Sequence, residues 1–249
     1  MSTESSTLRK PYVEASGDGP SVILLHSSGM SGRQWRRLAT GLAAGGLRTI
    51  VPDLAGHGQS PAWPDGTPLS FQIDVDETLA LLETIDDEVD LIGHSYGGLV
   101  ALLVAAVRPK RIRSLVVYDP VAFGTLGPED AEARRDLAQV PSLWEDTLEG
   151  RERWLEAFVD FWGGPGAWPA LRAEARDEFR RVAWALYQGV ASLVRDPTPA
   201  SAYRVIDAPV LLMTGEKTPL AERRVMQRLG ESFPHAEVHV VAGAGHMGP

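Results

Sequence analysis

Short, unbroken apolar runs alternate along this chain with stretches in which apolar residues recur every three or four positions. The runs cover residues 22–25, 47–51, 89–92, 112–117, 210–213 and 238–241, and each predicts a buried strand. Turn formers close several of them: His26-Ser27-Ser28-Gly29, Pro52-Asp53 and Tyr118-Asp119-Pro120. Between the runs, apolar spacing predicts helices over 31–44, 71–85 and about 220–229, the first stopped by Gly45-Gly46. Residues 96–107 are apolar nearly all round, which predicts a buried helix ended by Arg108-Pro109. Strands without a polar face, alternating with helices, indicate an α/β fold with a parallel sheet covered on both sides.

One stretch breaks the alternation. From Phe123 to about Pro209 the pattern is helical and charged, with Gly163-Gly164-Pro165-Gly166 as a turn in its middle. This predicts a core of residues 1–122 and 205–249, interrupted by a helical insertion of residues 123–204 lying over the sheet. The insertion holds five of the seven tryptophans: Trp144, Trp154, Trp162, Trp168 and Trp184. Tryptophan on a helix mostly packs, so any single one is read as glue between helices, with a pocket-lining role as the alternative. No internal repeat is present.

Composition narrows the function. Asp and Glu outnumber Lys and Arg by 33 to 24, a net charge of −9 that argues against nucleic acid or an anionic membrane as partner. The chain has no cysteine, which removes thiolate nucleophiles, disulfides and zinc–thiolate or iron–sulfur sites. The longest apolar run, 99–107, is far short of a membrane span. The N-terminal segment MSTESSTLRKPY has no apolar core of a signal peptide, so a cytoplasmic location is expected. Neither an H-E-x-x-H nor a His/Asp cluster at ligand spacing occurs, so neither metal nor cofactor is expected. Composition and pattern set no oligomeric state.

The candidate chemistry begins at Gly93-His94-Ser95-Tyr96-Gly97, a G-x-S-x-G pattern between a predicted strand and a predicted helix. A tight turn there exposes the Ser95 hydroxyl, glycines on either side let strand and helix approach, and the Tyr96 amide at the helix start faces a developing oxyanion. A serine nucleophile needs a base. Of the histidines at 26, 57, 94, 235, 239 and 246, His246 fits, because Ala242-Gly-Ala-Gly-His246 follows the last strand and satisfies the order serine, acid, histidine. Acids at strand ends are Asp53, Asp119 and Glu216; Asp119 is preferred over Glu216, since it ends a strand next to the one carrying Ser95. The amides of the His26–Gly29 loop are candidates for a second oxyanion donor.

Together the loop His26-Ser27-Ser28-Gly29, the segment Pro52-Asp-Leu-Ala-Gly-His-Gly-Gln-Ser60, the serine elbow and Gly-Ala-Gly-His246 resemble the α/β-hydrolase superfamily over residues 12–247. The resemblance implies an eight-stranded, mostly parallel sheet with a helical cap inserted after the sixth strand. It implies Ser95 as nucleophile, His246 as base, and oxyanion donors from the amides of Ser28 and Tyr96. Three features depart from the family pattern. Thr218 stands where many members carry the acid, whereas some relatives place it after the sixth strand, where Asp119 stands. Ser27 replaces a commoner glycine. Relatives continue past the histidine into a final helix, whereas this sequence stops at Pro249. A serine at position 95 also argues against the aspartate-dependent dehalogenases and epoxide hydrolases of the superfamily. The expected function is a cofactor-independent serine hydrolase cleaving a small carboxylic ester through an acyl-enzyme. The rivals are cleavage of a thioester, amide, lactone or carbon–carbon bond, and a non-catalytic ligand-binding member of the fold.

Overall fold

A computed structural model describes residues 10–233 and 235–249; the expected absence of a signal peptide falls largely on residues 1–9, outside the described residues. Each apolar run forms a strand: β2 (Ser21–Leu25), β3 (Arg48–Pro52), β4 (Val89–His94), β5 (Ile112–Tyr118), β6 (Val210–Gly215) and β7 (Glu237–Val241). A further strand, β1 (Val13–Ser16), precedes them. The described residues thus form a seven-stranded sheet, ordered β1-β3-β2-β4-β5-β6-β7, rather than the eight strands the resemblance implies. All neighbours pair parallel except β1, which runs antiparallel to β3 at the edge. Its sequence, Val-Glu-Ala-Ser, is short and mostly exposed, so it carries none of the apolar signal that reveals the central strands.

Helices cover both faces. They are α1 (Arg36–Ala44), entered through a 3-10 turn at Gly32–Trp35, then α2 (Phe71–Leu82) and α3 (Tyr96–Val107). Between β5 and β6 come α4 (Ala131–Leu137), α5 (Leu148–Gly163), α6 (Ala167–Ala170), α7 (Ala173–Arg181) and α8 (Ala183–Leu193); α9 (Leu220–Ser232) links β6 to β7. No helix among the described residues is long and apolar enough to cross a membrane. The main core joins the central strands to α3, where Leu99 and Leu102 are fully buried, each side chain contributing roughly 1.5–3 kcal/mol. A separate cluster ties α5 to α8 through Trp154, Leu155, Phe158, Trp168, Phe179 and Leu186.

Register positions the site. His94 pairs with Tyr118 and Tyr118 with Met213, so β4 and β5 end level beside β6 and release Ser95 and Asp119 at one rim, two residues before β6 itself ends at Gly215. Helix α3 then turns back directly over β4. The crossing is so close that a Cβ at position 97 would lie 2.5 Å from the His26 carbonyl oxygen, and one at position 98 would lie 2.8 Å from Pro120 Cα. Alanine is the better helix former by about 1 kcal/mol, but backbone atoms cannot yield as a side chain would. Gly97→Ala should therefore destabilise the fold by about 1–3 kcal/mol despite its helix propensity. Thermal unfolding checks this, and an unchanged or raised midpoint would contradict the close-approach argument.

Candidate active site

Ser95 occupies a backbone conformation that side chains rarely adopt, with φ of 55° and ψ of −122°. Two hydrogen bonds hold it there: its N–H donates to the Tyr118 carbonyl at 2.9 Å, and its carbonyl accepts from the Leu99 N–H at 3.0 Å. The first extends the β4–β5 ladder one residue beyond the strand. Asp119 continues β5 likewise, its N–H donating to the Met213 carbonyl at 3.0 Å, and it too has a positive φ, 44°.

The structure brings the three chemistry-bearing side chains together. Ser95 Oγ lies 2.9 Å from His246 Nε2, and His246 Nδ1 lies 3.2 Å from Asp119 Oδ2. All three are buried, with exposures of 6% for Ser95, 2% for His246 and 0% for Asp119. The acceptor carboxylate fixes the tautomer: Nδ1–H donates to Asp119, leaving Nε2 to accept the serine proton. The arrangement can draw a proton from Ser95 onto His246 while the carboxylate stabilises the resulting imidazolium.

The glycine loop carrying His246 is tied down at successive carbonyls. His94 Nε2 donates to the His246 carbonyl at 2.8 Å, and the Tyr118 hydroxyl donates to Gly245 at 2.7 Å. The Lys217 N–H donates to Ala244 at 2.8 Å. Trp162 from α5 stacks on the imidazole, with ring centres 3.9 Å apart. The other acids have different partners. Glu216 accepts from the Gly243 N–H at 2.8 Å, and Asp53 accepts from the Gly32 and Gln59 N–H groups at 2.6 and 2.7 Å. Both organise loops. Thr218, at the family's usual acid position, donates its hydroxyl to Asp119 Oδ2 at 2.7 Å.

The remaining buried histidines build the walls. His26 Nε2 accepts from the Leu54 N–H at 2.9 Å, and His57 Nε2 accepts from the Gly29 N–H at 3.1 Å. His94 Nδ1 accepts from the Gln34 amide at 2.8 Å. Burial disfavours the charged form of each: His26, also facing His57, is pushed down to about 3, His57 is lowered, and His94, beside His246, is well below the usual range. In the loop after β2, the amides of Ser27, Gly29 and Met30 are engaged by Gln34, His57 and the Ser27 carbonyl. Among the described residues, the amides of Ser28 and Tyr96 have no protein acceptor. The Tyr96 hydroxyl donates to buried Asp74 at 2.6 Å, and Asp74 also accepts from the Ala55 N–H at 2.7 Å. Burial raises that carboxyl to about 6. His239 lies exposed on β7, and His235 is exposed in the turn before it.

Beside the Ser95 hydroxyl, a cavity of about 20 Å³ is walled by Ser28, Val121, Phe158, Trp162 and Leu193. It shares Phe123, Leu137, Val140, Val190 and Val194 with a pocket of about 460 Å³ that opens between α4 and α8. A larger hollow of about 760 Å³ lies against α1 and the other sheet face, and none of the three residues lines it. The Trp162 stack is the feature the sequence hid. Five tryptophans share one helical insertion, and no periodicity separates the one above the imidazole from those that pack among themselves, such as Trp144 and Trp154.

Residues 22–249 match the alpha/beta hydrolase family, and the chain belongs to it. It is 40% identical over 159 residues to the lipase LipV of Mycobacterium tuberculosis, a match covering 63% of this chain and 56% of that protein. The chain thus spans little more than half of LipV. It is 30% identical over 242 residues to a pimeloyl-[acyl-carrier protein] methyl ester esterase of Chromobacterium violaceum, covering 94% of this chain and 90% of that one. The enol-lactonase of Burkholderia xenovorans shares the fold, with a TM-score of 0.72 at 20% identity over 95% of this chain and 89% of that one.

The buried histidines set an acid sensitivity. An unfolded chain protonates His26 below its ordinary 6.5, whereas the native state resists down to about 3. Stability should therefore fall as pH drops through that window. Asp74 and Glu222 oppose this, since the fold binds the proton of Asp74 up to about 6 and that of Glu222 well above the ordinary carboxyl range, but His57 and His94 act with His26 and the three histidines outweigh the two acids. Denaturant midpoints between about pH 7 and about pH 5 should decrease on acidification; a level or rising midpoint would refute the neutral-histidine assignment.

Proposed function

We propose that this protein is a cofactor-independent serine hydrolase that cleaves a small carboxylic ester through an acyl-enzyme. The observation that carries the reading is the 2.9 Å contact between Ser95 Oγ and His246 Nε2, in a site whose next neighbour is the Asp119 carboxylate. In the first half, Ser95 Oγ attacks the ester carbonyl carbon and passes its proton to His246 Nε2. Asp119 holds the imidazolium through Nδ1–H. The Ser28 and Tyr96 amides, both without a protein acceptor among the described residues, donate to the oxyanion. Collapse of the tetrahedral species expels the alcohol, which takes the proton from His246. In the second half, water gives a proton to His246 and attacks the acyl carbon. The carboxylic acid departs, and Ser95 recovers its proton.

The pocket shapes the substrate class. Its walls near Ser95 are apolar, and about 460 Å³ accommodates a small apolar acyl or alcohol group. With only about 20 Å³ free beside Oγ, entry requires Trp162 or its neighbours on α5 and α8 to give way. In this reading residues 123–204 act as a cap over a core of residues 1–122 and 205–249. The 30% identical esterase, matched over most of both chains, favours an ester over a thioester, amide or carbon–carbon bond.

Hydrolysis of short p-nitrophenyl esters tests the proposal. Ser95→Ala should abolish turnover and labelling by a fluorophosphonate; equal rates in variant and wild type would refute the mechanism. Asp119→Asn should lower kcat by roughly 10³–10⁴-fold. Glu216→Gln should leave kcat nearly unchanged, and the reverse ranking would move the acid role to Glu216.

A further inference from the structure

Two carboxyl oxygens from residues that interact electrostatically, Asp119 Oδ1 and Glu222 Oε2, are buried and have no hydrogen-bond partner among the described residues. Neither residue is exposed at all. Asp119 Oδ2 already receives two donors, from Thr218 and His246, while Oδ1 receives none. Glu222, on the first turn of α9, uses Oε1 to accept from the Val121 N–H at 3.2 Å. That amide belongs to the same strained turn as Asp119, since Val121 has a φ of 43°. An unpaired ionised carboxylate in such a site costs far more than a neutral acid.

We propose that Glu222 is a neutral carboxylic acid whose Oε2–H donates to Asp119 Oδ1, making it a positioning residue for the acid of the triad. One proton then satisfies both orphaned oxygens. Glu222 grips the turn at two points, taking the Val121 N–H and giving a hydrogen to Asp119. The Asp119 carboxylate gains a third donor, which fixes its plane and aims Oδ2 at His246. The electrostatics agree. Burial first, and the facing Asp119 charge second, push the Glu222 carboxyl well above the ordinary range. Asp136 from α4 accepts the Ala221 N–H at 2.8 Å at the same helix start. Arg224 and Arg228 of α9 engage Asp130, and among the described residues no cation pairs with Glu222. The proton stays on Glu222 throughout turnover, and no step transfers it.

This inference rests on the triad reading, but part of its test does not. Infrared spectra of the resting protein should show a protonated carboxylic acid that Glu222→Gln removes; this needs no substrate and holds whatever bond the enzyme cleaves. In kinetics, Glu222→Leu should lower kcat on the order of tenfold with KM little changed. Glu222→Gln, whose amide both donates to Asp119 and accepts from Val121, should recover most of that loss. Wild-type activity should also decline at alkaline pH as Glu222 ionises against Asp119, and the glutamine variant should lose that decline. Absence of the protonated-acid band, or a glutamine variant as impaired as the leucine one, would overturn the proposal. Should the leucine variant fail to fold, the band and the alkaline limb decide it alone. If Ser95 is never labelled by a fluorophosphonate while the band is present, the ester reading fails and the carboxyl pair stands.

Discussion

The hydrogen bond from the Ser95 N–H to the Tyr118 carbonyl is the point on which the site depends. It continues a parallel ladder past the end of β4, and it does so at a residue whose own backbone resists the required conformation. A lone strained residue would relax. Here relaxation is blocked from both sides, because β4 is clamped between β2 and β5, and α3 lies so close to the end of β2 that a Cβ at Gly97 would strike Leu25 and His26. The cost of the strain is met by the burial of α3, an apolar helix without a solvent face. Packing far from the hydroxyl therefore sets the direction in which the hydroxyl points.

The same register brings the Asp119 carboxylate, 24 positions along the chain, to the neighbourhood of that hydroxyl, where it meets the His246 imidazole from 151 positions along. Parallel strands end at one rim, so the residues after β4 and β5 meet without any long-range search. The His246 imidazole arrives from a glycine loop whose carbonyls are held by His94, Tyr118 and the Lys217 amide. Of the groups that grip the loop, His94 and Tyr118 are buried. His26, His57 and His94 are all held in the uncharged form by burial, and each ring has a donor on one nitrogen and an acceptor on the other. These three rings thus form a hydrogen-bonded, uncharged scaffold behind Ser95 and His246.

How much of this the chain disclosed follows from what kind of signal each feature leaves. The central strands and α3 are apolar on every face, a pattern few alternatives can imitate, and α3 runs over the residues its apolar stretch marks. Strand β1 is an exposed edge with a polar composition and leaves no such mark. Ser95, Asp119 and His246 were legible because each follows a strand and motif order fixes their sequence. The Asp119–Glu222 pairing was not, because Glu222 lies on an amphipathic helix where one more acid in the first turn is unremarkable. Nor was the role of His94, which sits inside the elbow motif yet acts on the loop 152 residues away. Features set by one strand's end are local enough to read; features set by which side chain of one helix meets which loop are tertiary, and periodicity cannot reach them.

Position 218 shows why the departure from the family pattern is tolerable. Its hydroxyl meets Asp119 Oδ2, the same oxygen that faces His246. The ends of β5 and β6 therefore converge on one point beside the imidazole, and a carboxylate reaching that point from either strand would occupy nearly the same space. Where β6 supplies only a hydroxyl, that hydroxyl becomes a donor to an acid supplied by β5. The Gly215 N–H in turn donates to Thr218 at 3.2 Å, so the threonine is oriented by the strand end itself. In this chain β5 delivers the carboxylate that faces Nδ1, and the segment after β6 delivers a donor to it.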